Sequence, residues 1–334
     1  MTQGPLIIAH RGASGYRPEH SLAAYELAIE QGADMLEPDV VATSDGVLII
    51  RHENEISGTT DVADHPEFAD RRTVKIVDNQ PLDGWFTEDF TWNELSTLRC
   101  RERLPEVRLE SRAFDGLFEL LRLTDLLRLV ESAQRPVSLC IELKHATYFD
   151  EEDLALDALL ARDLNRAGWA HDDERLVIES FEKTILVRMR EARLGSQHVY
   201  LLEHGATAFD ELVWAAAEGV PALSFSDELS EAGLEAFMGR MSAISVDARF
   251  LVDARTGDIS RGIQLVRRAH ALGLKVFTWT LRPENQFLPM PFRRGNDLAA
   301  WGDYTTAWSA VMQTNVDAVF ADHPDLAIEV RHRL

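Results

Sequence analysis

The sequence contains no long apolar run, only two cysteines and few basic residues, and each of these shortages excludes a class of protein. No run approaches the ~18 apolar residues of a membrane span, so we expect no stable membrane insertion. The first residues lack the basic and apolar regions of a secretory signal, which predicts a cytoplasmic protein. Cys100 and Cys140 stand outside any Cys-x-x-Cys or zinc-like spacing, and we expect both to be reduced thiols.

Positive charge is scarce, because 34 Lys and Arg residues face 56 Asp and Glu residues and leave a formal net charge of −22. Nucleic-acid binding through a basic face is excluded, since phosphate backbones need cationic partners. The other proportions, 46% hydrophobic and 27% charged, are those of an ordinary globular protein. The acidic excess has two interpretations: it keeps an enzyme in solution, or some carboxylates hold a cation.

Short apolar runs alternate with helical stretches over most of the 334 residues. Such alternation predicts parallel β/α units, and roughly eight of them in a chain longer than ~250 residues predict a (β/α)8 TIM barrel. A doubly wound open sheet is the alternative, which the absence of a Gly-rich phosphate turn disfavours. The predicted strands are Leu6–Ala9, Met35–Val40, Val137–Leu143, Leu176–Ser180, His198–Leu202, Ala243–Val246, Val276–Thr280 and Ala318–Ala321, with Ala222–Phe225 competing for the sixth place. The predicted helices are Ser21–Gln31, Leu117–Ser132, Glu152–Ala167, Thr184–Ala192, Ala208–Ala217, Glu231–Arg240, Gly262–Leu272 and Thr306–Thr314.

One stretch, between the second and third predicted units, holds far more chain than one helix needs. We expect residues 53–116 to form a small insertion subdomain over the barrel mouth, within a chain (1–334) that is otherwise a single barrel domain. A second long segment, Arg282–Tyr304, is rich in proline and glycine and predicts a loop beside the pocket. The aromatic residues of the insertion are expected to form a miniature core, namely Trp85, Phe86, Phe90 and Trp92.

Acidic residues occupy the ends of two predicted strands. Glu37 and Asp39 are two residues apart, so both carboxylates point to one face. Buried acids this close need a cation or a proton between them, although a solvated strand end is the alternative. Glu142 ends another apolar strand, and the C-terminal strand ends of a barrel form its active site. Together the three carboxylates predict an all-oxygen site for one divalent cation, Mg²⁺ or Ca²⁺, rather than zinc.

Two histidines and two cationic residues flank these acids. His10 follows the first predicted strand and His52 follows the apolar run 47–50. Histidines beside a metal suit acid–base phosphoryl chemistry, in which one takes a proton and the other gives one. Arg11 offers the fork geometry that binds phosphate. Lys144 is either an ion-pair partner of a nearby acid or a further phosphate contact.

These residues stand in motifs that resemble the signature of glycerophosphodiester phosphodiesterases, and the matching segments follow in order through nearly the whole chain. The segment after His52 resembles the insertion of the longer bacterial branch of that family. The motifs are His10-Arg11-Gly12, Pro18-Glu19-His20-Ser21, Glu37-Pro38-Asp39, Asp45-Gly46, His52-Glu53, Glu142-Leu143-Lys144, Ser180-Phe181, Thr278-Trp279-Thr280 and Asp317–Pro324.

The resemblance implies a β/α barrel that uses a divalent cation to hydrolyse small-molecule glycerophosphodiesters to glycerol 3-phosphate and an alcohol. Phe181 and Trp279 are expected to shape the substrate pocket, although core packing would also place aromatic residues there. The roles implied by position are metal ligands for Glu37, Asp39 and Glu142, acid–base catalysis for His10 and His52, phosphate contacts for Arg11 and Lys144, and a polar contact near the metal for Glu19.

The sequence departs from the family pattern at two positions. His20 stands where asparagine is usual, and Glu53 stands where aspartate is usual. Neither change removes a metal ligand or an acid–base group, so we expect activity to be retained.

Two other functions are open at this point. A lipid phosphodiesterase of the same barrel superfamily would form a cyclic phosphate and need an interfacial apolar loop, for which residues 287–292 are a candidate. However, anionic membranes would repel an acidic protein. A non-catalytic glycerophosphodiester-binding protein is the other alternative, and the complete set of His, Glu and Asp residues argues against it. The head group, the cation used in the cell and the oligomeric state are not predicted.

Overall fold

The computed structural model describes residues 4–171 and 175–334. Over that part of the chain, parallel strands close into an eight-stranded barrel with helices between them, which confirms the predicted fold. β2 and β3 are two halves of one barrel strand, and β4 forms a hairpin with β3. The strands are β1 Leu6–His10, β2 Met35–Glu37, β3 Asp39–Ala42, β4 Leu48–Ile50, β5 Thr73–Val77, β6 Gln80–Gly84, β7 Ser138–Leu143, β8 Leu176–Ser180, β9 Gln197–Leu202, β10 Ala243–Asp247, β11 Lys275–Leu281 and β12 Ala318–Ala321.

The helices lie between the barrel strands and in the segments that depart from the β/α alternation. No helix within the described ranges is long and apolar enough to span a bilayer. The α-helices are α1 Leu22–Gln31, α2 Trp92–Leu95, α3 Leu109–Arg112, α4 Leu123–Ser132, α5 Ala146–Glu151, α6 Leu156–Ala167, α7 Lys183–Glu191, α8 Phe209–Glu218, α9 Phe225–Glu228, α10 Glu231–Phe237, α11 Ser260–Ala271, α12 Tyr304–Met312 and α13 Pro324–Arg331. Short 3-10 helices occupy Val62–Asp64, Pro66–Arg71, Thr87–Asp89, Ala248–Phe250, Asn285–Phe287 and Met290–Phe292.

The structure corrects three of the predicted elements. The second predicted strand is interrupted at Pro38, which has no N–H to donate to the sheet. Residues 222–225 form no strand, and the sixth barrel strand is β10. The helix predicted from Leu117 begins six residues later, because Glu119 and Arg122 form isolated β-bridges.

The strands of the barrel place an apolar layer beneath a polar layer on their inner face. A small buried cluster contains Ile8 of β1 and Cys140 of β7, together with Met35, Val177, Val199, Ala243, Phe277, Ala318 and Phe320. Two residues farther along β1, on the same face, stands His10, and Glu142 stands two residues beyond Cys140. Apolar side chains therefore fill the interior of the barrel, and polar side chains two residues farther along the same strands stand at its C-terminal end.

The segment after β4 contains the β5–β6 hairpin, helices α2 and α3 and irregular chain. Trp85, Phe86 and Phe90 are buried in it. They belong to the same hydrophobic cluster as the residues between barrel strands and outer helices, so the predicted separate miniature core is wrong. Both cysteines, Cys100 and Cys140, are buried free thiols as predicted.

Gly12 lies where the chain leaves β1, and its backbone requires glycine. Its φ is +84°, and a Cβ there would stand 2.7 Å from the backbone of Ala24 in α1. Gly116 has a similar φ of +76° with open space around it. We expect Gly12→Ala to lower the free energy of unfolding by more than Gly116→Ala, which should cost only the left-handed penalty of about 1–2 kcal/mol. Urea denaturation of the two variants tests this, and equal losses would contradict the overlap.

Candidate active site

His10 is the last residue of β1, and a carboxylate fixes its ring. Its Nδ1 lies 2.6 Å from Oδ1 of the buried Asp322, which follows β12. Because a carboxylate has no proton to give, Nδ1–H donates and the lone pair resides on Nε2. Burial, followed by the charge of Arg11, lowers the pKa of His10 to about 4. His10 is therefore a neutral base at pH 7, and it lines the main cavity at the end of the barrel.

His52 follows β4 and is held in the same manner. Its Nδ1 is hydrogen-bonded to the carboxylate of Glu53, and its Nε2 lies 3.1 Å from Nζ of Lys144. An ammonium group only donates, so Nε2 carries the lone pair here as well. Burial and the charges of Arg11 and Lys144 lower the pKa of His52 to about 3. The two histidines thus share one tautomer, and His52 also lines the cavity.

Three buried glutamates form a cluster beside the histidines. Glu37, Glu142 and Glu179 each offer a carboxylate oxygen within 4.8 Å of the others. Burial and the nearby negative charges hold the pKa values of Glu37 and Glu142 well above their usual range. Burial is also the chief cause that raises the pKa of Glu179 to about 8. Glu179 Oε2 is buried and has no hydrogen-bond partner among the described residues. Lys144 lies beside Glu142, but three carboxylates this close together hold more negative charge than one ammonium group offsets, so the cluster fits a further cation with oxygen ligands.

Asp39 lies next to this cluster but is not one of its three members. Its Oδ2 is 2.8 Å from Nε2 of His20 and 3.3 Å from Nε of Arg11. Burial alone would raise the pKa of Asp39, but His52, Lys144 and Arg11 together hold it well below its usual range. Its Oδ1 is buried without a hydrogen-bond partner in the described chain, 3.9 Å from Lys144 Nζ. Asp39 therefore retains one free oxygen on the side of Lys144.

Arg11 and Lys144 bring positive charge to the cavity wall. The backbone N–H of Arg11 donates to Oε2 of Glu37 over 2.8 Å, and its guanidinium donates to Glu19 over 2.9 Å. Lys144 Nζ lies 2.8 Å from Oε1 of Glu142. Both cationic side chains are buried and line the cavity, where they can meet an anionic ligand.

The main cavity has a volume of about 470 Å³ and opens at the C-terminal end of the barrel. Phe181 and Trp279 line it, with ring centroids 5.6 Å apart in an edge-to-face arrangement. Glu19 does not line this cavity. It lies behind Arg11, so it is positioned to hold Arg11 rather than to touch a ligand in the cavity.

The two departures from the family pattern both occupy supporting positions. The His20 ring is fully buried between Tyr25 Oη and Asp39 Oδ2, at 2.8 Å from each. Glu53 holds Nδ1 of His52, as described above. Both residues therefore orient groups of the site and neither removes a predicted ligand or base.

Sequence reasoning missed Glu179, Arg103 and Arg108, and it assigned no role to Asp322, although the motif Asp317–Pro324 contains it. A signal for Glu179 was available, because it is a lone acid in an apolar strand and pairs in register with Glu142. Asp322 contacts His10 across 312 positions of sequence. Arg103 donates to both carboxylate oxygens of Glu19 and of Glu53, and Arg108 donates to Asp322.

The site combines two neutral histidines, a buried carboxylate cluster and two cations around one cavity. An anion can be held by the cations, while one imidazole accepts a proton and the other returns one. A hard divalent cation would find only oxygen ligands in the cluster. These are the requirements of hydrolysis at a phosphate ester.

Known proteins match this chain over most of its length. The sequence model of the Glycerophosphoryl diester phosphodiesterase family matches residues 10–326. Glycerophosphodiester phosphodiesterase GDPD6 of Arabidopsis thaliana is 29% identical over 334 aligned residues, which cover 96% of this chain and 84% of the plant protein.

Solved structures share the barrel. A phosphodiesterase of Oleispira antarctica, in complex with the product sn-glycerol-3-phosphate, superposes with a TM-score of 0.63 at 21% identity and covers 98% of this chain and 96% of its own. A glycerophosphodiester phosphodiesterase of Parabacteroides distasonis gives a TM-score of 0.61 at 18% identity, covering 100% of this chain and 99% of its own. At these identities the structural matches establish the fold.

Proposed function

The chain belongs to the glycerophosphoryl diester phosphodiesterase family, and from that premise we propose that it hydrolyses glycerophosphodiesters to glycerol 3-phosphate and an alcohol, with one divalent cation. The observation that carries the proposal is the pair His10 and His52. Each ring has Nδ1 on a carboxylate and its lone pair on Nε2, and both line one cavity with Arg11 and Lys144.

The residues present fit a divalent cation. Glu37, Glu142 and Glu179 form the close cluster, and Asp39 adds a free oxygen beside it. We assign the cation, Mg²⁺ or Ca²⁺, to these four carboxylates, of which Glu179 is additional to the three predicted from sequence. When bound, it would supply positive charge that polarises phosphoryl oxygens.

The first step is an in-line displacement at phosphorus. The 2-hydroxyl of the glycerol moiety attacks the phosphorus, and one histidine takes its proton on Nε2. The bond to the departing alcohol breaks, and the other histidine gives that alcohol oxygen a proton. Arg11 and Lys144 stabilise the charge on the phosphoryl oxygens. The products of this step are the free alcohol and a cyclic glycerol phosphate.

The second step opens the cyclic phosphate with water. The histidine that gave a proton now takes one from the water, and the histidine that took a proton returns it to the 2-oxygen of glycerol. The net reaction consumes one water and restores both rings. Both histidines are neutral in the free protein, and an anionic phosphodiester beside them favours the protonated form that the acid requires.

Product analysis tests the proposal. The purified protein is incubated with glycerophosphocholine, glycerophosphoethanolamine and lysophosphatidylcholine in the presence of Mg²⁺ or Ca²⁺. We expect linear glycerol 3-phosphate and the free alcohol from the glycerophosphodiesters. Accumulation of cyclic phosphate from the lysolipid would favour the lipid phosphodiesterase alternative, and binding without any product would favour a binding protein.

The cation should stabilise the fold more strongly at pH 8 than at pH 6. Folding raises the pKa of Glu179 from its ordinary 4.5 to about 8, so the cation-free protein loses stability as the pH rises through that range. A cation replaces the protons, and its affinity therefore rises with pH. At a hundredfold excess over Kd we expect Tm to rise by about 3 °C or more at pH 8. NaCl of equal ionic strength is the control, and equal shifts at both pH values would contradict the assignment.

A further inference from the structure

One short loop of the inserted segment, residues 102–108, touches the supports of both catalytic histidines. We propose that Arg103 and Arg108 of this loop are positioning residues that together set the orientation of His52 and His10. This inference rests on the proposed function, because it concerns how that acid–base pair is held. It gives the inserted segment a part in catalysis that its position in the sequence does not reveal.

Arg108 supports His10 through a single carboxylate. Asp322 uses Oδ1 for Nδ1 of His10 at 2.6 Å, and it uses Oδ2 for Nη2 of Arg108 at 2.6 Å. Arg282 donates to the same Oδ2 over 2.7 Å. Because both oxygens of Asp322 are occupied, its plane is fixed, and the plane of the imidazole is fixed with it.

Arg108 is itself anchored to the barrel. Its Nε donates to Glu284 over 2.8 Å, and its Nη1 donates to the carbonyl oxygen of Ser14 over 3.1 Å. Its side chain is only 6% exposed, so its hydrogen bonds are shielded from water. These contacts use all three nitrogens of the guanidinium, a geometry that a lysine ammonium cannot reproduce.

Arg103 supports His52 in the equivalent way. Its Nη1 and Nη2 donate to the two oxygens of Glu53 over 2.9 and 2.7 Å, and Glu53 holds Nδ1 of His52. Its Nε and Nη2 also bind both oxygens of Glu19 at 2.7 Å each. Since Glu19 binds the guanidinium of Arg11, Arg103 supports a phosphate contact as well as a histidine.

Hydrogen bonds within the loop fix the positions of Arg103 and Arg108 relative to each other. The carbonyl oxygen of Leu104 accepts from the backbone N–H groups of Val107 and Arg108 over 2.9 Å each, which closes a tight turn. The side chain of Glu102 accepts from the N–H of Leu104 over 2.8 Å, and the N–H of Glu102 donates to Asp115 over 2.7 Å. The two arginines therefore extend from one turn to two carboxylates, Glu53 and Asp322, which hold His52 and His10.

Two substitutions test the role against two matched controls. Arg103→Ala and Arg108→Ala remove the supports, whereas Arg101→Ala and Arg112→Ala remove arginines of the same segment that pair at the surface with Asp64 and Glu106. Loss of a residue that orients a catalytic group typically costs about 10–100-fold, and we expect losses of that size in kcat for both test variants. KM should also rise in Arg103→Ala, because Arg11 loses its support. The control variants should retain wild-type constants.

A spectroscopic reading separates positioning from a structural role. Long-range ¹H–¹⁵N spectra of labelled histidine report the tautomer of each ring, and signals of His10 and His52 are assigned from their alanine variants. We expect a single Nδ1–H tautomer for both rings in the wild type. Each carboxylate still accepts from its ring in the arginine variants but is no longer held in place by the arginine. Arg108→Ala should therefore shift the Nδ1–H signal of His10 alone, and Arg103→Ala should shift that of His52 alone.

Wild-type kcat in both test variants, or lowered kcat with unchanged Nδ1–H signals of His10 and His52, would overturn the proposal. If an alanine variant does not fold, the lysine variant at the same position decides by the same two measurements, since lysine keeps the charge but not the fork. Failure of the proposed function would give a different result. The wild type would then release no glycerol 3-phosphate, while the Nδ1–H signals of both rings would still respond to the arginine substitutions.

Discussion

Replacement of His10 or His52 by alanine is expected to lower kcat by about 10²–10⁴-fold, the range that general acid–base groups contribute. Both rings hold Nδ1 on a carboxylate, which leaves the lone pair on Nε2, and both line the cavity. In His52 that lone pair also lies 3.1 Å from Nζ of Lys144, which can give up the contact to a substrate. Release of glycerol 3-phosphate measures the effect. The control is His65→Ala, which removes an imidazole paired with Asp61 and Glu67 away from the cavity. Rates within twofold of wild type in both test variants would contradict the assignment.

A substrate with a better leaving group identifies the acid of the first step. The p-nitrophenyl ester of glycerol 3-phosphate releases a phenolate that does not need a proton. The variant that lacks the acid should therefore recover much of its rate of nitrophenolate release with this ester, and the variant that lacks the base should not. Equal defects of His10→Ala and His52→Ala with both leaving groups would contradict a division of roles between the two rings.

Substitution of a glutamate in the carboxylate cluster is the second change that should lower activity strongly. Substitution of the groups around a metal ligand already costs about 10–100-fold in activity. Glu37→Gln or Glu142→Gln, which removes a proposed cation ligand itself, should therefore lower kcat/KM by at least about 100-fold at a fixed cation concentration. Higher cation concentration should restore part of the loss. Calorimetric titration with Ca²⁺ should show weaker binding in both variants.

Glu179→Gln tests the one ligand that the sequence did not predict. If the glutamate binds the cation, this variant should show weaker Ca²⁺ binding in the same titration. Without the cation, its fold should become more stable than the wild type only at about pH 8 and above, where the buried glutamate would lose its proton. Unchanged cation affinity would remove Glu179 from the ligand set. Glu203→Gln, which changes an acid elsewhere on the cavity wall, is the matched control.

Most of the barrel could be predicted from the sequence, because apolar runs and the breaks between them are local properties of the chain. The predicted strands Leu176–Ser180 and Ala318–Ala321 have the same bounds in the structure. The position of the sixth strand was ambiguous, because residues 222–225 form a short apolar run. Hydrophobic periodicity alone does not show whether such a run is a strand or part of a helix. The interruption at Pro38 was readable in principle, since proline cannot complete the sheet ladder.

The residues of the site also fall into those that the sequence predicts and those that it does not. His10, Asp39 and Glu142 stand at or next to the C-terminal ends of predicted strands, where the active site of a barrel lies. The residues that support them could not be predicted from sequence, because their partners are far away along the chain. Arg108, for example, donates to Asp322, which lies 214 positions away. An arginine in an irregular loop is usually a solvated charge, and only the folded chain shows that this one is buried.

We propose that the carboxylate cluster and the two histidines form one cation-dependent phosphodiesterase site. It is tested most directly by treating the wild-type protein with a chelator, removing the chelator, and following glycerol 3-phosphate released from glycerophosphocholine before and after Mg²⁺ or Ca²⁺ is returned. We expect no turnover by the stripped protein, and recovery of turnover when Mg²⁺, Ca²⁺ or both are returned. Full turnover by the stripped protein, or no glycerol 3-phosphate with either cation, would contradict it.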